Sequence, residues 1–180
     1  GKSALFTNTT GSNNTGCGNF TLGFNTTGSD NTAVGRDALR DNTTASNNTA
    51  VGRSALILNT TGAFNTAVGR DSLVSNTTAS HNTAIGNIAL QDCTTGSGNV
   101  AIGSHSQKNT TTGNQNTTVG NDALGAITTG SNNIGIGFQS GDNLSSGDNV
   151  IVIGSIADAS SSTVSNEITL GNSSIATLRC

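Results

Sequence analysis

Glycine recurs at positions 1, 18, 35, 52, 69, 86, 103, 120, 137, 154 and 171, an unbroken spacing of 17 residues. A fixed period of this length marks a chain built from stacked repeats, each touching only its neighbours. The slot before the glycine is apolar throughout: Cys17, Val34, Val51, Val68, Ile85, Ile102, Val119, Ile136, Ile153 and Leu170. Four residues after it stands a second apolar rank (Leu5, Leu22, Leu39, Leu56, Leu73, Leu90, Leu124, Ile175), which lapses at Gln107, Gly141 and Asp158. Four residues before it runs an asparagine rank: Asn14, Asn31, Asn48, Asn65, Asn82, Asn99, Asn116 and Asn133. A Thr-Thr pair completes most units, from Thr9-Thr10 to Thr128-Thr129, followed by Gly or Ala, as at Gly28, Ala45 and Gly62.

Seventeen residues cannot hold two packed helices, and runs of Asn, Thr and Gly are poor helix formers. The three residues before each glycine alternate as a strand does. These features predict an all-β parallel β-solenoid, or β-roll, with one coil per repeat and strands stacked about 4.8 Å apart. Residues 1–180 read as a single repeat domain of roughly ten coils, a segment of a longer fibre. Gly1-Lys2-Ser3-Ala4-Leu5 reads as mid-repeat, without a signal peptide.

The rank before the glycine is the expected core: Val34, Val51, Val68, Ile85, Ile102, Val119, Ile136, Ile153 and Leu170. The third residue before the glycine changes from Thr15, Thr32, Thr49, Thr66 and Thr83 to Val100, Ile134, Ile151 and Ile168, so it too is expected to point inward. The residue between them is small (Ala33, Ala50, Ala67, Ala84, Ala101) and is expected on the other face, against a neighbouring subunit. The repeat glycines Gly18, Gly35, Gly52, Gly69, Gly86, Gly103, Gly120, Gly137, Gly154 and Gly171 are expected to supply a positive φ or a close backbone approach. The asparagines are expected to form amide ladders between coils.

Composition bears on stability and partners. The chain has no Pro, Met, Trp or Tyr, and charged residues are 9% of it. Leu, Ile, Val and Phe make up roughly a fifth, close to the limit for disorder, but a net charge of -3 and strict apolar placement argue for order. A coil with two or three modest inward side chains buries little against the entropy of ordering 17 residues, which favours association into a homotrimer. Seven Lys and Arg leave no basic footprint for nucleic acid, and no apolar run is long enough to insert in a membrane.

Asn-Thr-Ala-Val-Gly at 31–35, 48–52 and 65–69, with Asn-Val-Ala-Ile-Gly at 99–103, resembles the head repeats of trimeric autotransporter adhesins. That resemblance implies a trimer of left-handed β-rolls; the 17-residue length and the Thr-Thr turn depart from the family's shorter coil, so loop shape does not carry over. Asn166-Glu167-Ile168-Thr169-Leu170-Gly171-Asn172-Ser173-Ser174-Ile175-Ala176-Thr177-Leu178-Arg179-Cys180 resembles the segment preceding the endosialidase-type intramolecular chaperone of phage tail fibres. It implies the distal shaft of a trimeric tail fibre, ending near the point where the chaperone cleaves itself off.

Individual residues add few candidate sites. Arg36, Arg53 and Arg70 follow consecutive repeat glycines and form a possible binding stripe for anionic glycans, or a solvated ladder paired with Asp37 and Asp71. His81 and His105 lie in different slots without partners at metal-ligand spacing. No catalytic set, metal site or cofactor site is expected, and the chain is read as a non-enzyme. Gly135-Ile136-Gly137 lacks the helix that a phosphate cradle needs. Sequons at Asn8, Asn25, Asn42, Asn59 and Asn76 follow from the repeat itself. Cys17 is expected as a packed core thiol, while Cys93 and Cys180 have no assigned role. Phe64 and Phe138 replace polar residues and suit exposed contacts or burial against a neighbouring chain.

The leading expectation is a structural and attachment protein of the virion, the shaft of a phage tail fibre, with a host cell-surface glycan or protein as partner. The alternative is a bacterial surface adhesin. An ice-binding solenoid is disfavoured because the strand Thr shares a face with the expected core and the Thr-Thr pair is adjacent, so neither yields an outward Thr-x-Thr rank. A polysaccharide-degrading spike would need clustered carboxylates, yet only Asp158 and Glu167 occur after Asp148.

Overall fold

The structure, a computed structural model, describes residues 1–175, so Cys180 and the end of the tail-fibre-like segment lie outside the described residues. It is a parallel β-solenoid. Each coil contributes one three-residue strand: β1 (Thr15–Cys17), β2 (Thr32–Val34), β3 (Thr49–Val51), β4 (Thr66–Val68), β5 (Thr83–Ile85), β6 (Val100–Ile102), β7 (Thr117–Val119), β8 (Ile134–Ile136), β9 (Ile151–Ile153) and β10 (Ile168–Leu170). They stack in chain order in one sheet, and every pairing joins residues 17 apart, as Ala33 with Ala50 and Ala50 with Ala67. Among the described residues no helix is long and apolar enough to cross a membrane.

The glycine before each turn is required twice over. At Gly69, φ is +138°, and a Cβ there would lie 2.2 Å from the carbonyl oxygen of Gly86 on the next coil. No L side chain fits such an approach. The turn then delivers two consecutive buried residues, such as Ala38 and Leu39, which an extended strand cannot do because its side chains alternate. Left-handed residues re-aim the chain: φ is +60° at Asp37 and +49° at Leu39. That conformation costs a non-glycine residue about 1–2 kcal/mol, offset by burying the leucine, worth roughly 1.5–3 kcal/mol.

The faces of the strand are the reverse of the sequence expectation. The middle residues Ala33, Ala50, Ala67, Ala84 and Ala101 are fully buried and face the lumen of the coil. Val34, Ile85, Ile102, Val119, Ile136, Ile153 and Leu170 are exposed, and Val51 and Val68 only half-buried. The expected core rank therefore lies outside the coil, and the first strand residues, from Thr32 to Ile168, lie beside it. Leucine explains the inversion. A Cβ at Gly16 would stand 3.5 Å from Leu5 Cγ, and one at Gly135 only 2.8 Å from Leu124 Cγ. The leucine fills the lumen and leaves room for a methyl group or less. Where the leucine lapses to Gly141, the strand residue grows to the buried Val152, 3.4 Å from a Cβ built on Gly141, so volume is conserved.

Two asparagine ladders line the lumen. In the predicted one, Asn31 Oδ1 accepts the backbone N–H of Asn48 at 3.0 Å while its Nδ2 donates to the Ala45 carbonyl at 2.9 Å. Both arms reach the next coil, and the pattern runs through Asn133, whose Oδ1 accepts from Val150 N–H at 2.8 Å. The second consists of the sequon asparagines: Asn25, Asn42, Asn59 and Asn76 are fully buried, each donating Nδ2 to Oδ1 of the asparagine one coil earlier at 2.7–2.9 Å. Glycan attachment would need those same nitrogens. Outside the lumen the first Thr of each pair ties coils together, as Thr26 Oγ1 donates to the Thr43 carbonyl at 2.9 Å.

The apolar lumen is interrupted once. One cluster runs from Leu22 to Ala101 and a second from Leu124 to Ala159. Between them lie the buried polar residues Ser106, Gln107, Thr110 and Thr118. Thr118 Oγ1 lies 2.5 Å from Ser106 Oγ and accepts from Gln107 Nε2 at 2.9 Å.

Candidate functional site

The surface most unlike an ordinary solvated one is the outer face of the sheet. Each strand presents its first and third side chains there, and the 17-residue register lines them up into two parallel ranks. In β2 to β5 the pair is Thr and Val or Ile; β6 carries Val100 and Ile102, and β8 and β9 carry Ile at both positions. The face becomes more apolar towards the C-terminal coils. With strands about 4.8 Å apart and two side chains across, the face covers roughly 450–500 Å², its third rank apolar throughout and its first rank Thr in β1 to β5 and β7. Cys17 lies in this outer rank and is exposed, not packed in a core.

The arginine ladder is half neutralised. Arg36 pairs with Asp37 at 3.0 Å and Arg70 with Asp71 at 3.5 Å. Arg53, followed by Ser54, is exposed and in no ion pair among the described residues. Exposed pairs of this kind contribute about 0–1 kcal/mol each. Arg40, absent from the sequence-stripe, makes a two-pronged contact with Asp41 at 2.7 and 2.9 Å, and that hydrogen bond raises its pKa further. Arg40 and Asp37 line a cleft of about 330 Å³ with the exposed rings of Phe20 and Phe24.

The titratable groups with perturbed pKa values lie on different coils. Among the described residues no group of three or more His, Cys, Asp or Glu is placed to hold a metal ion. His105 Nδ1 lies 2.9 Å from Ser104 Oγ. His81 stacks on Phe64, ring centroids 5.0 Å apart and planes within 3°; this pair joins two coils in a slot that periodicity alone does not single out. Burial pushes the Cys93 thiol up to about 11, which keeps it protonated and unreactive. Burial and the nearby Asp122 raise the pKa of Asp142. Glu167 accepts hydrogen bonds from the Ser160 side chain and N–H, which lower its pKa.

The chain matches no family model, and no curated protein or solved structure is significantly similar to it.

Proposed function

We propose that this chain is the shaft of a homotrimeric viral attachment fibre, of the kind that carries or contributes host-receptor contacts at a phage tail. The observation that carries the reading is the continuous outer rank of Val and Ile on a sheet whose lumen is already filled. Water contact along that whole rank is unfavourable by about 25 cal/mol per Å², and packing of identical faces about an axis parallel to the solenoid removes it while keeping every coil in register. Cyclic symmetry suits such a closed contact. The threefold choice, and the placement in a tail fibre, rest on the likeness of Asn-Thr-Ala-Val-Gly and of the 166–180 segment described above. Light scattering with small-angle X-ray scattering tests it: the expected result is a rod of about 53 kDa, three times the 17.8 kDa of one chain. A stable 17.8 kDa species would overturn it. An adhesin head would use the same trimer, and the residues flanking the chain in its gene distinguish the two.

One observation favours a second reading. Thr32, Thr49, Thr66 and Thr83 share their face with Val or Ile, and that face points outward, so the first ground for setting aside an ice-binding solenoid does not hold, although the outward pattern is Thr-x-Val or Thr-x-Ile and not Thr-x-Thr. Thermal hysteresis from a monomer would favour that role over the fibre.

A further inference from the structure

The Phe64–His81 stack ends in a gap. Both rings occupy the left-handed slot that precedes the buried asparagine of each coil, with φ of +59° and +62°. One coil further on, the same slot holds Gly98, φ +71°, and one further again Gln115. His81 therefore has Phe64 against one face of its ring and no side chain in its own slot against the other. Beyond that face opens a cleft of about 440 Å³ lined by His81, Ser97, Gly98, Asn114 and Gln115. A Cβ at Gly98 would meet only Gln115, 3.4 Å from its Cγ. The backbone there is pinned: Gly98 N–H donates to the Ser80 carbonyl at 3.2 Å, and Gln115 N–H to the Ser97 carbonyl at 3.0 Å.

We propose that this gap is a binding site for one pyranose ring of a neutral saccharide. The slots of His81 and Gln115 are two coils apart, roughly 9.6 Å at 4.8 Å per coil. Contact distances of about 3.5–4.0 Å on each side leave the thickness of one ring between them. The C–H face of a sugar packs against the electron-rich face of the imidazole, whose orientation the Phe64 stack holds. The edge of the sugar presents vicinal hydroxyls, and the cleft offers amides for them: the exposed Gln115, whose side chain makes no hydrogen bond among the described residues, and Asn114, whose Oδ1 accepts from Ser97 N–H at 2.8 Å and whose Nδ2 donates to the Thr112 carbonyl at 2.8 Å. A concave surface with one stacking platform and a few polar groups is the usual form of a small-ligand site. No Lys or Arg lines the cleft, which disfavours phosphate-bearing rings and acidic sugars. The site deepens the attachment reading, since it places a receptor contact on the side of the shaft, and it rests on that reading for its biological role; the geometry itself is that of one chain.

The test is a titration of the protein, labelled with ¹³C-histidine, with glucose, galactose, N-acetylglucosamine and N-acetylgalactosamine, using N-acetylneuraminic acid and adenosine monophosphate as charged probes. At least one neutral sugar is expected to shift the His81 ring signals and not those of His105, with a Kd of about 1–10 mM. Gly98→Asn fills the gap with a residue that the same slot accepts elsewhere, at Asn47 and Asn132 with φ of +62° and +60°; it is expected to weaken binding at least about tenfold while leaving the circular dichroism spectrum and the mass unchanged. Absence of a His81 shift with every neutral sugar, an unchanged affinity in Gly98→Asn, or a shift with adenosine monophosphate alone would each overturn the proposal. Light scattering on the same samples reads the fibre separately: a monomer that binds the sugar keeps the site and removes the shaft, and a trimer that does not bind keeps the shaft and removes the site.

Discussion

Cys93 stands on its coil where Asn76 stands one coil earlier, and the buried sequon ladder stops between them. Asn76 donates Nδ2 to Asn59 Oδ1 at 2.7 Å, but its own Oδ1, fully buried, accepts nothing. The thiol opposite instead hydrogen-bonds to the Gly96 carbonyl at 3.2 Å.

Cys93→Asn is expected to extend the ladder by one rung, its amide donating both to Asn76 Oδ1 and to the Gly96 carbonyl. The introduced amide's own Oδ1 is expected to accept from Thr110 Oγ1, a buried hydroxyl without a partner one coil on; satisfying these buried groups is worth about 1–3 kcal/mol, so the midpoint of chemical or thermal unfolding rises. A fall in stability, measured by denaturant titration, would mean that this coil has no room for the amide.

Gln107 marks the interruption of the apolar lumen. It sits in the leucine slot, fully buried, with Oε1 unpaired. Gln107→Leu together with Thr118→Ala, the strand residue to which Gln107 now donates, restores the leucine and methyl pair of Leu90 and Ala101 and joins the two apolar clusters. Stabilisation by about 1–3 kcal/mol is expected, with hydrogen exchange slowing in the coils on both sides.

The inverted strand separates two substitutions at neighbouring repeat slots, the middle and the third strand position. Ala50→Leu places extra carbons in a lumen already filled by leucine and is expected to cost about 1–3 kcal/mol in the folded coil. Ile136→Glu lies on the outer face, so the single chain is expected to keep its circular dichroism and, in the proposed homotrimer, the mass to fall to that of one chain. If Ile136→Glu instead unfolds the chain, its side chain is not on an outer face.

Asp142 supplies a pH dependence. Its folded pKa is raised, by burial first and by Asp122 second, with Lys108 opposing. A raised pKa means that the folded state binds the proton more tightly; the gain is complete below the ordinary carboxylate range and is lost as pH rises through the folded value. Asp142→Asn is expected to flatten the loss of stability as pH rises above the ordinary aspartate value of about 3.9, read as the unfolding midpoint at each pH.

Much of the architecture is legible in the repeat. The 17-residue phase fixes one coil per unit, the glycine rank marks the turn that Gly69 and Gly86 make by close approach, and the asparagine rank from Asn14 to Asn133 forms its ladder. The contacts that make the cleft beside His81 are not legible, because they depend on what Gly98 omits between two rungs. Nor are the burial of the sequon amides and the end of their ladder at Cys93.

By itself, then, the sequence determined the period, the parallel register and the residues that stack on one another, because identical units repeated without insertion leave each residue one partner above and one below. Only the tertiary structure decided which side of the strand is inside. Three alternating residues define two faces without a sign, and hydrophobicity favours Val over Ala for the core. The sign comes from the space left after Leu22 and its successors enter the lumen, which admits the methyl group of Ala33 and turns Val34 outward.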